Sequence, residues 1–272
     1  MPQGPLLSVA IVSFQPEPLL FQRVLQALEQ ALAAVQNVFA APYAVTVVDH
    51  SPDPTAVAAL CAPWRETLSL TLLHDGANPG FGAGHNRALG QSQAPFHLIL
   101  NPDVILSKDS LVALLQYLRA HPAAALLGPE VHDGQGHLSY PCKAEPTVLD
   151  LALRGFAPRW LKRRFDARLA RYECRALVEA RQVAPALHLS GCCLMARTEA
   201  LRAVGGFDEG YFLYFEDFAL SRALRNQGEV LYCPLATVEH HGGDAARKGL
   251  RHVRYFGASA WRWFRQRGWR WG

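Results

Sequence analysis

The chain has 272 residues, of which 50% are apolar and 18% charged, and its mean hydropathy is +0.02. These values are typical of a globular protein with one large core or two smaller ones. The formal net charge of +4 is too small to indicate nucleic-acid binding, so we expect no nucleic-acid partner.

Three further features concern location. No apolar run approaches the ~18 residues that cross a bilayer, and the start of the chain has no basic segment typical of a secretory signal. The six cysteines show no CxxC spacing, which indicates free thiols. We therefore expect a cytoplasmic protein.

The first 130 residues alternate between strand-like and helix-like stretches. Short apolar runs predict buried strands at residues 7–14, 44–48, 70–73 and 96–100. Leu20, Val24, Leu28 and Leu32 recur at every fourth position and predict a helix. A second helix is predicted over residues 109–120, before an apolar stretch at 124–128. This alternation predicts an α/β fold with a mostly parallel sheet.

The second half begins with a change of pattern. Residues 146–183 lose clear periodicity and predict an insertion or mobile segment rather than a core element. Residues 187–196 are apolar again, a helix is predicted over 218–226, and a strand over 229–234. The end of the chain, 251–272, mixes arginine with tryptophan.

Polar groups follow three of the predicted strands. They are Asp49, the glycine-rich loop 78–86 and Asp103. Ligands of open α/β sheets bind beyond the carboxyl ends of the strands, and a glycine-rich loop entering a helix can bind a diphosphate. The glycines could equally serve backbone conformation alone, and either aspartate could simply cap a turn. A carboxylate at such a strand end is also what Mg²⁺ or Mn²⁺ bound to a diphosphate requires.

An acidic pair, Glu216 and Asp217, follows a cluster of aromatic residues and precedes the predicted helix. Carboxylates can start a helix because its dipole favours them there. Aromatic surroundings would instead desolvate a carboxylate and raise its proton affinity, as a general base needs. Further on, His240 and His241 could be metal ligands, phosphate contacts or a polar turn.

Taken in order, these segments resemble glycosyltransferase family 2, and within it a bacterial rhamnosyltransferase-like branch. The resemblance covers residues 8–243 and rests on segments 9–14, 47–51, 78–86, 100–103, 190–195, 206–217 and 238–243. It implies a GT-A fold, a Rossmann-like domain whose mostly parallel central sheet is flanked by helices. Residues 1–245 would form this domain, with the nucleotide-sugar half at about 1–130 and the acceptor half at about 131–245. Residues 246–272 would form a basic, aromatic helical extension.

The resemblance also implies roles for individual residues. Donor nucleotide contacts would come from Ser13, Phe14, Asp49, Asn78, Gly80, Phe81, Asn86 and Asn101. Asp103 and His240 would bind Mg²⁺ or Mn²⁺, while Asp217 would be the general base, supported by Glu216. The sequence departs from the family in two places: Asn101 replaces the first carboxylate of the DXD motif, and His50 stands where asparagine is usual. The resemblance does not decide between His240 and His241.

The resemblance implies an inverting transfer of a sugar from a nucleotide-diphosphate donor to a hydroxyl of a saccharide or lipid-linked saccharide, in cell-surface polysaccharide synthesis. Rhamnose from dTDP-rhamnose is the first candidate donor. A sugar-phosphate nucleotidyltransferase would need a glycine-rich, basic signature, which residues 13–16 do not supply. A non-catalytic nucleotide-sugar-binding module would not need the acidic pair. The terminal segment predicts either peripheral contact with the inner face of the plasma membrane or a helix packed on the domain.

Overall fold

The computed structural model describes residues 4–242 and 249–272. The strands are β1 (Leu7–Ser13), β2 (Tyr43–Asp49), β3 (Leu70–His74), β4 (Phe96–Leu100), β5 (Val104–Leu106), β6 (Ala124–Asp133), β7 (Leu138–Ser139), β8 (Cys142–Lys143), β9 (Ala184–Pro185), β10 (His188–Leu189), β11 (Cys193–Arg197) and β12 (Glu229–His240). The helices are α1 (Pro18–Phe39), α2 (Thr55–Cys61), α3 (Phe81–Gln91), α4 (Ser110–Ala120), α5 (Val148–Phe156), α6 (Arg159–Arg164), α7 (Asp166–Tyr172), α8 (Arg175–Glu179), α9 (Thr198–Ala203), α10 (Glu216–Leu224) and α11 (Leu250–Arg267). Gly243 and the predicted boundary between residues 245 and 246 lie outside the described residues.

One large sheet organises the molecule, with strand order β3-β2-β1-β4-β11-β6-β12-β5. The first four strands in this order are parallel. In the second half β11 runs antiparallel to β4 and β6, whereas β12 is parallel to β6 and antiparallel to β5. The predicted α/β fold with a helical end is therefore confirmed, with continuous parallel pairing confined to the first half. The antiparallel β11 starts where β4 ends, which brings the loop before β11 to the carboxyl end of β4.

The core explains the strongest sequence patterns. All seven residues of β1 are buried, and the predicted helical stripe of α1 buries Val24, Leu28 and Leu32 completely. Burial of each such side chain contributes roughly 1.5–3 kcal/mol. The carboxylate of Glu17 accepts hydrogen bonds from the first-turn N–H groups of Leu19 and Leu20, so α1 begins there.

Residues 146–183 form four short helices, α5 to α8, and the prediction that they lie outside the core is wrong. A reciprocal capping box between Thr147 and Asp150 starts α5. Leu151 and Tyr172 are buried in one cluster with Trp263. Helices of five to nine residues are too short to show a helical period in sequence, which explains the error.

The C-terminal helix α11 packs back on the domain, as one of the two sequence-based alternatives predicted. Its Trp263 is 1% exposed, while Trp261 remains 52% exposed. The Ser259 hydroxyl donates to the carbonyl oxygen of Leu213 at 2.8 Å. Of the helices in residues 4–242 and 249–272, none combines the length and apolarity needed to cross a membrane.

Candidate active site

A cavity of about 450 Å³ opens at the carboxyl ends of β1 and β4, and we call it the donor-side cavity. Its lining includes Ser13, Phe14, His50, Asn78, Gly80, Phe81, Asn101, Asp103, Phe212, Arg251, His252 and Tyr255. Seven of these residues were predicted from sequence: Ser13, Phe14, Asn78, Gly80, Phe81, Asn101 and Asp103. The predicted site residues thus lie together at the carboxyl ends of the strands, as expected for an open α/β sheet.

The glycine-rich loop has a conformational role as well as a position in this cavity. Gly80 has φ +108°, and a Cβ there would lie 2.5 Å from the carbonyl oxygen of Phe212. The next N–H, from Phe81, donates to that same oxygen at 3.0 Å. Only glycine therefore fits at position 80. The helix that follows begins at Phe81, inside the segment predicted as a loop.

Asp49 lies fully buried at the end of β2 and is not among the residues that line the cavity. Its Oδ1 accepts hydrogen bonds from the hydroxyls of Ser13, at 3.0 Å, and Ser51, at 2.7 Å. Its Oδ2 has no hydrogen-bond partner within the described part of the chain. Oδ1 thus links the ends of β1 and β2, while Oδ2 can still accept a hydrogen bond. Contact with a base stays a prediction.

The adjacent His50 does line the donor-side cavity. Burial lowers the pKa of its imidazole. The side chain therefore faces the cavity in its neutral form near pH 7, able to donate or accept one hydrogen bond at each nitrogen.

Asn86 forms hydrogen bonds with the segment before α10. Its amide nitrogen donates to the carbonyl oxygen of Phe207 at 2.9 Å and to Glu209 at 2.9 Å, and its oxygen accepts from the N–H of Phe207 at 2.8 Å. These bonds use both donor hydrogens of the amide. Asn86 therefore fixes α3 to the segment before α10, and its contact with a nucleotide stays a prediction.

Asp103, in the turn between β4 and β5, lies beside His240, the last residue of β12. His240 Nε2 lies 3.4 Å from Asp103 Oδ1. The imidazole of His241 instead lies 2.7 Å from Glu239 Oε1. In the antiparallel pairing of β12 with β5, His240 lies opposite Val104, the residue that follows Asp103. This register brings the His240 imidazole to the Asp103 carboxylate. Of the two histidines that the sequence left open, the structure brings His240 to the acidic side chain.

The Asp103–His240 pair fits the predicted divalent cation in part. A carboxylate and an imidazole are suitable ligands for Mn²⁺, and carboxylates for Mg²⁺. The 4–242 and 249–272 segments contain no group of three or more His, Cys, Asp or Glu side chains arranged to hold a metal. Mg²⁺ is commonly held by one or two carboxylates, with phosphates and water completing the coordination. The pair thus suits a cation that arrives with a diphosphate.

Gly242 provides the space beside this pair. A Cβ at this position would lie 2.3 Å from His240 Nε2 and 2.6 Å from Asp103 Oδ2. Both distances are far below ordinary van der Waals contact, so a side chain here would displace both groups. The missing side chain leaves room for a ligand between them.

A second cavity, of about 490 Å³, is lined in part by His240, and we call it the acceptor-side cavity. Its lining includes Tyr140, Lys143, Leu151, Arg154, Tyr172, Glu173, Ser190, Cys192, Tyr214, Phe215, Asp217, His240 and Gly242. Asp103 lines the first cavity and His240 the second, and they are 3.4 Å apart. The two cavities therefore adjoin at the predicted metal ligands.

The general-base candidate, Asp217, is fixed by backbone donors. Its Oδ2 accepts from the N–H of Gly191 at 3.0 Å, and its Oδ1 from the N–H of Phe218 at 2.9 Å. Burial raises the pKa of Asp217, while these two hydrogen bonds and nearby His188 oppose that rise. The result is an oriented carboxylate with increased proton affinity, facing a cavity of ligand size.

Glu216 differs sharply from its neighbour. It is 5% exposed, does not line the acceptor-side cavity, and its Oε2 has no hydrogen-bond partner in the described segments. Burial, followed by the charge of Asp217, holds the pKa of Glu216 well above its usual range. Tyr214 and Phe215, just before the pair, adopt left-handed φ values of 70° and 65°. This unusual backbone turns the pair into the first turn of α10 at a cost of roughly 1–2 kcal/mol per residue.

Cys192 lies close enough to both acidic centres, Asp103 and Asp217, for their charges to act on it. Burial, together with the charges of Asp103 and Asp217, raises the pKa of its thiol to about 12. Its carbonyl oxygen accepts from the N–H of Asn101 at 2.9 Å. The loop before β11 thus connects the end of β4 with Asp217, because Cys192 accepts from the N–H of Asn101 and Gly191 donates to the Asp217 carboxylate.

Sequence reasoning did not assign roles to several residues of this site. Gly191 lay within a motif, but its N–H bond to Asp217 was not predicted. His188 is fully buried, stacks on Phe218 at 4.5 Å between ring centroids, and lies 3.2 Å from Glu145. Arg251, like His252 and Tyr255, reaches the donor-side cavity from α11, a placement that no local sequence pattern signals.

Comparison with known proteins shows where this architecture occurs. Two proteins named N-acetylglucosaminyl-diphospho-decaprenol L-rhamnosyltransferase, from two strains of Mycobacterium tuberculosis, are 30% identical to the chain over 249 residues. The match covers 86% of this chain and 76% of each relative.

Solved structures share the fold at low sequence identity. A crystal structure of GalNAc-T7 with UDP, GalNAc and Mn²⁺ matches with a TM-score of 0.61 and 12% identity, over 88% of this chain and 44% of that one. The S. aureus TarS structure matches with a TM-score of 0.57 and 16% identity, over 87% of this chain and 36% of that one. A TarS 1–349 structure in complex with UDP-GlcNAc has a TM-score of 0.57 and 16% identity, over 89% and 61%. The chain thus spans less than two thirds of each of these proteins.

The family comparison covers nearly the whole chain. The model of "Glycosyltransferase like family 2" matches residues 2–271. The seven segments that carry the resemblance lie within this range, and most of the predicted site residues line the two adjoining cavities. The chain therefore belongs to glycosyltransferase family 2, and it is a glycosyltransferase.

Proposed function

We propose that this glycosyltransferase inverts the anomeric centre as it moves rhamnose from dTDP-rhamnose to a hydroxyl of a lipid-linked saccharide, in cell-surface polysaccharide synthesis. The placement of Asp217 carries the proposal. This carboxylate, held by two backbone N–H groups, lines a cavity that adjoins the Asp103–His240 pair. The relatives that are 30% identical, named as rhamnosyltransferases of a lipid-linked acceptor, support the choice of donor and acceptor.

The donor-side cavity has the chemistry that a nucleotide-sugar needs. Its wall carries the start of α3 at Phe81, where a helix N-terminus favours negative charge. Arg251 also lines the cavity and brings a positive charge. Asn101 Oδ1 is buried, with no hydrogen-bond partner in the described residues, and can accept from the donor. We propose that the diphosphate of the nucleotide-sugar lies near Asp103, within reach of the start of α3 and of Arg251.

Metal dependence is part of the proposal. Asp103 and His240 would hold Mg²⁺ or Mn²⁺ together with the donor diphosphate, and the ion would offset the charge that develops on the leaving nucleoside diphosphate. The structure of a fold relative with UDP and Mn²⁺ supports the type of ion.

Asp217 is the group that accepts the proton of the acceptor hydroxyl. Both of its oxygens already accept a backbone hydrogen bond, which fixes the carboxylate plane. The hydroxyl is then oriented for attack on the anomeric carbon from the face opposite the leaving diphosphate, which inverts the configuration. Glu216 acts through Asp217, because its buried side chain does not reach the cavity.

The test is Asp217→Asn, with Asp109→Asn as the matched control. Asp109 is exposed, precedes α4 and makes no side-chain capping bond. Nucleoside diphosphate release is measured with a panel of nucleotide sugars and lipid-linked acceptors, with and without Mn²⁺, and the product anomer is identified by NMR. We expect Asp217→Asn to lose at least 10²-fold in transfer while donor binding is nearly unchanged. Near-normal turnover, or a product with retained configuration, would refute the mechanism.

We also propose peripheral contact of the C-terminal segment with the inner face of the plasma membrane. Trp261, Trp269 and Trp271 are 52%, 48% and 69% exposed, and basic residues intersperse them. The carbonyl oxygens of Arg270 and Trp271 accept from the first N–H groups of α5, the helix that carries Leu151 and Arg154 of the acceptor-side cavity. Exposed tryptophan and arginine suit an anionic membrane interface.

Sedimentation with phosphatidylglycerol-containing vesicles tests this contact. Wild type should sediment, the double variant Trp269→Ser/Trp271→Ser should lose most of this binding, and neutral vesicles should bind less. Equal sedimentation of wild type and variant would refute a role for these side chains.

A further inference from the structure

Lys143 is a buried cation that the proposed transfer chemistry does not use. It lies on β8, is 8% exposed, and lines the acceptor-side cavity together with Asp217. Its ammonium group donates to the carbonyl oxygens of Tyr140 and, at 3.3 Å, Cys142. No carboxylate in residues 4–242 or 249–272 forms an ion pair with it. A buried ammonium group without a counter-ion is costly, so its position calls for an explanation.

A second cation lies on the same cavity wall. Arg154 projects from α5, and its Nε is 3.5 Å from Glu173 Oε1. Glu173 is also bonded by Arg175, at 2.8 Å, so its charge is shared between two guanidinium groups. Arg175 in turn bonds Asp166 at 2.8 Å. Of the side chains that line the cavity, Lys143 and Arg154 are cationic, whereas Glu173 and Asp217 are anionic. The charge of Glu173 is already engaged by Arg154 and Arg175, so it does not pair with Lys143.

The charge of Arg154 acts directly on Lys143. Burial, followed by the positive charge of Arg154, lowers the pKa of Lys143 to about 8. The group is still mostly protonated at pH 7, so the cavity holds two cations that repel each other. An anion bound between Lys143 and Arg154 would reduce their repulsion and would give the buried ammonium group a counter-ion.

The position of this pair restricts the class of anion. The cavity is the one into which Asp217 faces, so its ligand is the sugar acceptor rather than the donor. Its volume of about 490 Å³ falls within the ~300–1,000 Å³ range of small-molecule sites. The side chains of Tyr140, Tyr172 and Phe215 give the same cavity apolar surface. A sugar joined through phosphate to an apolar chain combines these requirements.

We propose that Lys143 and Arg154 bind the diphosphate of a lipid-linked acceptor, so that its sugar hydroxyl is presented to Asp217. This inference rests on the proposed function, and it assigns the recognition of the acceptor's charged group. The diphosphate oxygens accept hydrogen bonds from the ammonium and guanidinium groups, which hold the acceptor at a fixed distance from the general base.

Two acceptors that share one sugar test the proposal. One is N-acetylglucosamine linked through a diphosphate to a short prenyl chain, and the other is an uncharged alkyl glycoside of the same sugar. We expect Lys143→Met to raise KM for the diphosphate acceptor about 10- to 100-fold with little change in kcat, as expected for loss of uniform substrate binding. The kcat/KM for the neutral glycoside should stay within about twofold of wild type. Lys108→Met, which alters an exposed lysine away from both cavities, is the matched control.

A structural role for Lys143 would give a different result. If Lys143→Met lowers kcat/KM equally for both acceptors, or if wild type does not prefer the charged acceptor, the proposal is wrong. Should Lys143→Met fail to fold, Arg154→Gln applies the same test, because Arg154 is 43% exposed at its side chain and lies near the end of a short helix.

A binding measurement separates this inference from the proposed function. Binding of farnesyl diphosphate is measured with the donor side saturated by dTDP. Binding that weakens about 10-fold or more in Lys143→Met supports the anion site even if no sugar is transferred, a result that would refute only the proposed function. Equal binding by wild type and both variants overturns the anion site.

Discussion

Gly242→Ala is a one-methyl change that tests the Asp103–His240 pair. The new Cβ would lie 2.3 Å from His240 Nε2 and 2.6 Å from Asp103 Oδ2, whereas ordinary contact begins at 3.4 Å. The His240 imidazole and the Asp103 carboxylate must therefore each move by about 1 Å. Both movements take the two predicted ligands away from the positions in which they could bind one cation. Because the contacted atoms are ends of side chains, we expect the protein still to fold.

The size of the effect follows from this displacement. A shift of about 1 Å in a positioning group can cost 10²-fold in rate. Loss of a supporting contact around a metal site lowers metal affinity about 10- to 100-fold. We therefore expect the Mn²⁺ concentration for half-maximal activity to rise at least 10-fold, with partial recovery of kcat at saturating Mn²⁺.

The assay is sugar transfer titrated with Mn²⁺, together with the melting temperature. Gly90→Ala is the matched control, since a Cβ at Gly90 meets no atom within 4 Å and the residue lies in α3. This control should keep the wild-type Mn²⁺ response and gain up to about 1 kcal/mol of stability. If Gly242→Ala shows the wild-type Mn²⁺ response, then Asp103 and His240 do not act together on the cation.

Three other predictions follow from burial. Asp217 must be ionised to accept a proton and burial raises its pKa, so kcat should fall on acidification at a pH above the usual 3.8 of an exposed aspartate; a kcat profile whose acid limb lies at or below 3.8 would contradict this. Because the pKa of Glu216 is raised in the folded protein, its contribution to stability is complete below the pKa of the unfolded chain and is lost as pH rises. Glu216→Gln should therefore flatten the fall in Tm from pH 5 to 8. Parallel Tm curves for the wild type and the variant would contradict this. Trp263→Ala should cost about 3–5 kcal/mol in urea unfolding because Trp263 is 1% exposed, whereas Trp261→Ala, at 52% exposed, should cost under about 0.5 kcal/mol; equal losses would refute the packing of α11.

The sequence predicted the parallel half of the sheet well. The run at residues 96–100 coincides with β4, because a fully buried parallel strand is a continuous apolar run bounded by turn residues. The last strand was predicted to end at residue 234, but β12 continues to His240. Residues 238–240 pair with β5, and buried and partly exposed positions are mixed over 234–240, so no continuous apolar run marks the end of the strand.

The sequence predicts which residues reach the cavity when they directly follow a buried strand. It does not predict residues whose position depends on tertiary contacts. Asp103 and Phe14 follow buried strands and therefore reach the cavity. The bonds between Asn86 and Phe207 were not predictable, because an amide side chain can bind a ligand or a neighbouring backbone equally well and only the fold brings Phe207 to it. Lys143 gave no signal either, since a two-residue strand has no readable pattern.

The four-helix segment between β8 and β9 also has an evolutionary consequence. It supplies Leu151, Arg154, Tyr172 and Glu173 to one cavity and none of the residues of the other. One uninterrupted stretch of chain can therefore diverge, or be exchanged by recombination, without altering the strand ends that line the donor-side cavity. A graft of this kind must retain apolar groups at positions 151 and 172, because these also anchor Trp263.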